Sequence, residues 1–497
     1  MYDKIAAALS LVVLGLTWSL LDRDTQTKSA ADGKPAADFR WTECPFDVPP
    51  SRNIHCGIYR TGSGAGRFEL PVAVIRDTSE DHRDDALLYL AGGPGDVSQM
   101  SEPQIESWLY WLDSAGLSRD LILFDQRGTG RSRPNLDCEA YDNFSLRVLR
   151  RNVDMETEYR EGLAVLRQCL SSLKSRGFDP AHFSTQLGAA DVRGLMRQLD
   201  YSSWNLLGVS YGTRLALQVA DVPITGLRSA ILDSPYPRDK GGLTEWPWLL
   251  DHALSRLWRA CAETPRNPVC EDPKTPLQAI FWTLMAQLKQ APATLTVRHW
   301  QGEPPIDIVV NDHRLLSVIY SSLYDVGLYG KIAGAIIGAE QGDTRALREL
   351  VEAFANYALD TGFSHMVYFA TECADNRRVS EAEYEAARAA YPRLMPYTGF
   401  DWKYDFCKDL GSGNGGELVV EGHEAMPPTL ILAGQMDPVT PPSWARGLQA
   451  QIASSQVLVF PGVGHAVISS SDCAHGLLRS FLDRPQRRIA PDCVQGG

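Results

Sequence analysis

No run of five or six lysines or arginines occurs in this chain, whose 48 basic side chains are outnumbered by 61 acidic ones for a net charge of −13 over 497 residues. A phosphate backbone would meet no basic stripe, which argues against nucleic acid as a partner. No C-x-x-C pair and no Cys/His cluster at zinc-ligand spacing is present, so no metal site and no cofactor are expected. Internal repeats are lacking too, and the one low-complexity patch is Gly411 to Gly416. With 44% hydrophobic and 22% charged residues, the composition is that of a globular protein and excludes disordered, collagen-like and polytopic membrane classes. At roughly 150 residues per domain, the length fits two or three domains, or one large domain carrying an insertion.

What is present begins with Lys4 and an apolar stretch from Ile5 to Leu21, closed by Asp22-Arg23-Asp24. It is longer than a usual secretory apolar core and shorter than the roughly 20 residues of a spanning helix. Cleavage and retention as a membrane anchor both stay open, beside a buried N-terminal helix. Either membrane reading exports the remainder to a periplasmic, extracellular or outward-facing location. Ten cysteines, all after this segment, agree with export: Cys44, Cys56, Cys138, Cys169, Cys261, Cys270, Cys373, Cys407, Cys473 and Cys493. Sequential neighbours lie 12, 31, 9, 34 and 20 residues apart, which suits five local disulfides, although buried thiols and other connectivities are not excluded by sequence.

Short apolar runs bounded by turn residues recur at Leu70 to Ile75, Ala86 to Leu90, Leu121 to Phe124, Trp204 to Leu207, Ser229 to Leu232, Thr429 to Ala433 and Gln456 to Phe460. Continuous apolar strands alternating with helical patterns predict an α/β protein with a mostly parallel sheet covered on both faces. About 200 residues between Leu232 and Thr429 carry few strand signals and several helical ones, such as Thr344 to Leu359 and Ser380 to Ala390. They predict a large, mainly helical cap over the end of the sheet.

Gly208-Val209-Ser210-Tyr211-Gly212 follows one apolar run and opens a helical one. This is G-x-S-x-G where a strand turns sharply into a helix, and it makes Ser210 the candidate nucleophile. A serine hydroxyl needs a base, and the base needs an acid to hold its tautomer. Asp437 follows the run Thr429 to Ala433, and His465 follows the run Gln456 to Phe460. The order Ser, Asp, His, each beyond a strand, is that of the α/β-hydrolase arrangement. Asp233 and His475 compete for the same roles with a less usual geometry. The oxyanion of acyl transfer needs preorganised N–H donors. The candidates are Tyr211, next after the nucleophile, and Gly93 or Gly92 in Ala91-Gly92-Gly93-Pro94-Gly95.

Together, Gly92-Gly93-Pro94-Gly95, Asp125-Gln126-Arg127-Gly128-Thr129-Gly130-Arg131-Ser132 and the elbow around Ser210 resemble the proline iminopeptidase and tripeptidyl aminopeptidase branch of the α/β-hydrolases, from about residue 40 to the C-terminus. The tail around Cys473 and Cys493 is similar to the secreted tripeptidyl aminopeptidase-like subgroup. Ala91 departs from the pattern, since many members carry His there. The resemblance implies an α/β-hydrolase core at 39–234 and 426–497, a cap at 235–425, and an anchor or signal with linker at 1–38. It implies a serine exopeptidase releasing one or a few residues, up to tripeptides, from a free peptide N-terminus. Such an enzyme must hold an ammonium group with carboxylates. Glu372 and Asp375, beside Cys373, are the candidates, with Trp246, Trp248, Tyr320 and Tyr324 as candidate pocket walls. The segment from Asp125 to Ser132 is read as scaffold bracing the oxyanion loop. An exported esterase with the same triad is the competing reading, and a non-catalytic binding protein the remote one.

Overall fold

The structure, a computed structural model of the chain, describes residues 38–263, 276–299, 303–411 and 426–494. The apolar stretch at 5–21, Cys270 and nearly all of the Gly411 to Gly416 patch lie outside the described residues. Eleven strands occur among the described residues: β1 (Phe39–Thr42), β2 (Asn53–Thr61), β3 (Phe68–Arg76), β4 (Ala86–Leu90), β5 (Leu121–Phe124), β6 (Trp204–Val209), β7 (Leu227–Asp233), β8 (Ala293–Val297), β9 (Ile306–Val310), β10 (Thr429–Gly434) and β11 (Ser455–Phe460). Nine form one sheet in the order β1-β2-β3-β5-β4-β6-β7-β10-β11. From β5 to β11 neighbouring strands are parallel, whereas β1, β2 and β3 join by antiparallel pairing. The fold is an α/β-hydrolase fold with a mostly parallel sheet.

The central strands are buried along their whole length because alternate side chains enter two different cores. Leu88, Ile122 and Leu206 pack on one face with Leu163, Leu166 and Val192 from the helices Met155–Ser175 and Thr185–Leu199. Leu87, Leu121 and Leu207 pack on the other with Ile105, Leu109 and Phe481 from the helices Glu102–Ala115 and Asp472–Asp483. Each of these leucines is worth ~2–5 kcal/mol against alanine, as expected for fully enclosed sites.

Between β7 and β10 a third core forms without help from the sheet, with Leu250, Phe281, Ile308, Ile336 and Leu350 at its centre. The antiparallel pair β8–β9 closes one side of it. This hairpin has little signal in the sequence, since its strands are short and one face is exposed. The stretch expected to belong wholly to the cap divides in two. Met366, Val367, Ala370 and Cys373 of the helix His365–Asp375, with Phe406 and Leu410, share the core of the main sheet. That helix therefore lies against the hydrolase body, fastened by Cys373–Cys407.

Disulfides also join Cys44–Cys56, Cys138–Cys169 and Cys473–Cys493, and Cys261 is disulfide-bonded as well. Among the described residues no helix is long and apolar enough to cross a membrane, and no group of three or more His, Cys, Asp and Glu is placed to hold a metal ion.

Candidate active site

β6 ends at Val209, and the chain turns through Ser210, at φ 56° and ψ −122°, into the helix Tyr211–Val219. A residue with a side chain held there costs about 1–3 kcal/mol and survives only where its surroundings fix it. The fixing bonds are visible. Ser210 N–H donates to the carbonyl of Asp233 at 2.9 Å, and the Ser210 carbonyl accepts from Thr213 N at 2.9 Å and Thr213 Oγ1 at 2.6 Å. The turn also needs bare backbone at Gly212, where an added Cβ would stand 2.0 Å from the Leu90 carbonyl oxygen.

Asp437, at the end of β10, is fully buried and its carboxylate is crowded with donors. One oxygen, Oδ1, accepts from Val439 N at 3.0 Å and Thr440 N at 2.8 Å. The other, Oδ2, accepts from Thr440 Oγ1 at 2.6 Å and from His465 Nδ1 at 2.8 Å. A carboxylate only accepts, so the Nδ1 proton is fixed and Nε2 is left as a basic lone pair. Burial works to lower the pKa of His465, but the charge and hydrogen bond of Asp437, together with Asp233 and Asp96, outweigh it and raise it. For Asp437 burial pushes up, and His465 with the Thr440 donors brings it down overall.

The loop bearing His465 is held from both sides. His465 N–H donates to the Tyr324 carbonyl at 3.1 Å, and the Tyr324 ring meets the imidazole edge-on at 5.3 Å. On the far side Ala466 N donates to Ser234 Oγ at 2.9 Å, and Val467 N and Ile468 N donate to the Asp233 carboxylate at 2.9 and 2.8 Å. Asp233 thus serves the backbone beside the histidine, while its own carbonyl anchors Ser210. His475 is occupied elsewhere, bonded through Nε2 to the Ile468 carbonyl at 2.8 Å. Two cap residues brace the acid loop: Arg256, which no sequence signal marked, donates to the carbonyls of Gln435 and Asp437, and Tyr320 Oη, expected as a pocket wall, donates to the Pro438 carbonyl at 3.1 Å.

Opposite the elbow lies the glycine loop after β4. Gly93 sits at φ +99° before a cis Pro94, a conformation open to glycine. Gly92 faces the nucleophile, since a Cβ there would be 3.3 Å from Ser210 Cβ. Tyr211 N–H opens the helix beside it. The loop is braced from two directions. Asp125 accepts from Ser98 N at 3.1 Å and Arg131 N at 2.8 Å, and Gln126 donates to the Ala91 carbonyl at 3.2 Å. Arg127 points away and pairs with the buried Asp191.

The profile of the family described as alpha/beta hydrolase fold matches residues 85–306, and that of the TAP-like proteins matches residues 395–491. The chain belongs to the α/β-hydrolases, in their TAP-like branch. This α/β-hydrolase is 24% identical over 472 residues to a protein of Streptomyces coelicolor named tripeptidyl aminopeptidase, covering 88% of this chain and 82% of that one. It is also 24% identical over 526 residues to serine protease Hip1 of Mycobacterium bovis, covering 97% of this chain and 96% of that one.

The two carboxylates expected to hold a substrate ammonium are both bonded to groups of this hydrolase itself. Asp375 is 4% exposed and accepts from Thr185 N at 3.1 Å and from Thr185 Oγ1, at the N-terminus of the helix Thr185–Leu199. Glu372 accepts from Tyr236 Oη at 3.1 Å and Asn376 Nδ2 at 2.6 Å, and its other oxygen is 4.0 Å from Arg214. Arg214 is fully buried, with its guanidinium 3.6 Å from the centre of the Tyr236 ring. Asp375 is answered at the start of the helix Thr185–Leu199, whereas Glu372 is answered at one oxygen only, its Oε1 being buried without a hydrogen-bond partner among the described residues. Of the aromatic residues, Trp246, Tyr320 and Tyr324 form an edge-to-face series that ends on His465, whereas Trp248 stacks on His252.

Proposed function

We propose that this hydrolase is an exported serine aminopeptidase that acts on peptides with a free N-terminus through an acyl-enzyme on Ser210. The observation that carries the reading is the 2.8 Å bond between His465 Nδ1 and Asp437, which leaves Nε2 to serve a serine on the strained elbow. The peptide substrate is supported by the relatives, whose names are those of peptidases. Export is supported by the disulfides and by the apolar stretch from Ile5 to Leu21.

In this mechanism Ser210 Oγ attacks the scissile carbonyl carbon while His465 Nε2 takes its proton. The oxyanion forms against the N–H groups of Tyr211 and of Gly93 or Gly92, which are fixed before substrate arrives. The imidazolium gives its proton to the departing amine, and Asp437 stabilises that cation throughout. Water then attacks the acyl-enzyme by the same proton route in reverse.

The test compares a single-residue chromogenic amide carrying a free N-terminus with its N-acetylated twin, using wild type and Ser210→Ala. Cleavage of the free form alone, lost in the variant, is the expected result. Cleavage of both forms, or of simple esters only, would make the chain an acyl hydrolase without amine recognition.

A further inference from the structure

With Asp375 and one oxygen of Glu372 committed elsewhere, another carboxylate able to meet the substrate amine stands directly after the glycine loop. A Cβ added at Gly92 would be 3.0 Å from Asp96 Oδ2 and 3.3 Å from Ser210 Cβ, so the carboxylate and the nucleophilic residue flank a single glycine, with Asp96 Oδ2 at most about 6.3 Å from Ser210 Cβ. The cap closes over this point. Asp96 pairs through its backbone with Phe363, Ser364 N donates to the Gly95 carbonyl at 2.9 Å, and Asp360 enters on the same loop with its carboxylate accepting from Gly362 N at 2.8 Å.

Asp96 is recessed, yet its carboxylate has no hydrogen bond and no Lys or Arg partner among the described residues. The titratable groups whose charges act on it are Asp360 and His465, and its own charge acts on Tyr357 and Tyr89. Burial, aided by Asp360, pushes its pKa up to about 6. Asp142, near Asp360, is pushed up to about 6 as well, by burial and by Asp137, Glu139 and Asp360. The Tyr357 ring, 68% exposed, lies 6.3 Å from that of Tyr324, and partial burial with the charges of Asp96 and Asp360 raises the pKa of its hydroxyl. A recessed carboxylate with no Lys or Arg partner is a receptor for an ammonium group.

We propose that Asp96, supported by Asp360, receives the free α-ammonium of the residue whose carbonyl Ser210 attacks, and so selects single-residue release. The proposal rests on the serine-peptidase reading and deepens it. In a peptide the α-nitrogen lies about 2.5 Å from its own carbonyl carbon, and each additional residue adds roughly 3.3–3.6 Å. A tripeptide amine would overshoot Asp96, whereas the amine of the acylated residue falls within its reach. The charge has a second effect: a bare carboxylate opposes the oxyanion that develops nearby, and only a substrate bringing its own cation cancels it. Selection for a free amine then enters kcat as well as KM.

The experiment measures kcat/KM for alanine p-nitroanilide, its N-acetyl twin and trialanine p-nitroanilide, with wild type, Asp96→Asn, Asp360→Asn and Ser210→Ala. Wild type is expected to prefer the single free residue over the acetylated twin by about 100-fold, and over the tripeptide by at least 10-fold. Asp96→Asn should collapse the first ratio to below about 5-fold and raise hydrolysis of the acetylated twin, and Asp360→Asn should lower the ratio less. A second measurement needs no variant: alanine amide should compete with ester hydrolysis by wild type, and its inhibition should weaken as pH falls through about 6 and Asp96 is neutralised. Equal losses on both substrates in Asp96→Asn, a faster tripeptide substrate, or inhibition by alanine amide that does not weaken would overturn the proposal. Loss of all Ser210-dependent amide cleavage in wild type would instead sink the peptidase reading beneath it.

Discussion

Two buried aspartates stand within reach of the His465 loop, and replacing each with asparagine separates the acid that fixes the tautomer from the one that fixes the backbone. At Asp437 the outcome is dictated by the donors on Oδ1: Val439 N and Thr440 N both point there, so in Asp437→Asn the amide oxygen must take that place. The amide NH2 is then turned toward His465 Nδ1, which becomes the acceptor, and the imidazole proton moves to Nε2. A protonated Nε2 cannot take the serine proton. We expect kcat to fall by about 10³–10⁴, equivalent to about 4–5.5 kcal/mol of transition-state stabilisation. Asp233 does not touch the ring. The Asp233→Asn side chain retains one acceptor for Val467 N or Ile468 N and leaves the other N–H unpaired, costing about 1–3 kcal/mol of stability, partly offset because a buried charge is removed. Its kcat should drop by less than about 10-fold. The pH profile gives a second readout. His465 acts as a base only when neutral, and Asp233 is among the charges raising its pKa. The acid limb of kcat/KM should therefore shift to lower pH in Asp233→Asn. Stopped assays on a free-amine anilide, with chemical denaturation of both variants, decide the matter. A loss of 10³-fold in Asp233→Asn with Asp437→Asn nearly active would refute the assignment of the acid.

Three further outcomes follow from the same geometry. Gly212→Ala places a Cβ 2.0 Å from the Leu90 carbonyl, so it should abolish activity or folding, which thermal denaturation and turnover would distinguish from a tolerated change. Glu372→Gln leaves the buried Arg214 without its countercharge and Asp375→Asn weakens the anchor of Thr185. Each should lower stability by about 1–3 kcal/mol in a denaturant titration while the ratio of free to acetylated substrate holds; a collapse of that ratio in either variant would return these acids to amine binding. Reduction of the Cys373–Cys407 link frees a loop of 34 residues under the helix His365–Asp375, and the pair Cys373→Ala/Cys407→Ala should lose about 3–4 kcal/mol by the chain-entropy account, measured by urea unfolding.

Strands buried on both faces write continuous apolar runs, and for that reason β4 and β5 are legible to the residue and β6, β7, β10 and β11 nearly so. The edge strand β1, its neighbour β2 and the hairpin β8–β9 are not: β2 carries exposed Asn53 and His55 between buried residues, so burial on one face alone writes no continuous apolar run. Local chemistry also marks the elbow, since only glycine at 212 lets a serine stand on that turn, and the loops after β10 and β11 carry Asp437 and His465 in order. Glu372 and Asp375 stand out in the sequence because a nearby cysteine promises rigidity. Rigidity is present, but its direction depends on Thr185, Tyr236 and Arg214, residues about 130 to 190 positions away in sequence.

What the sequence determined by itself is whatever one segment's pattern can specify: the parallel sheet, the strained serine turn, the glycine loop, and the order of nucleophile, acid and base. The tertiary structure decided which charges are answered. Asp375 met a helix N-terminus, Glu372 met a buried arginine, and Asp96, unremarkable beside its glycines, was left next to Ser210 with no Lys or Arg partner among the described residues. A carboxylate's role depends on what the rest of the chain folds against it, and Coulomb attraction acts through space without regard to sequence separation.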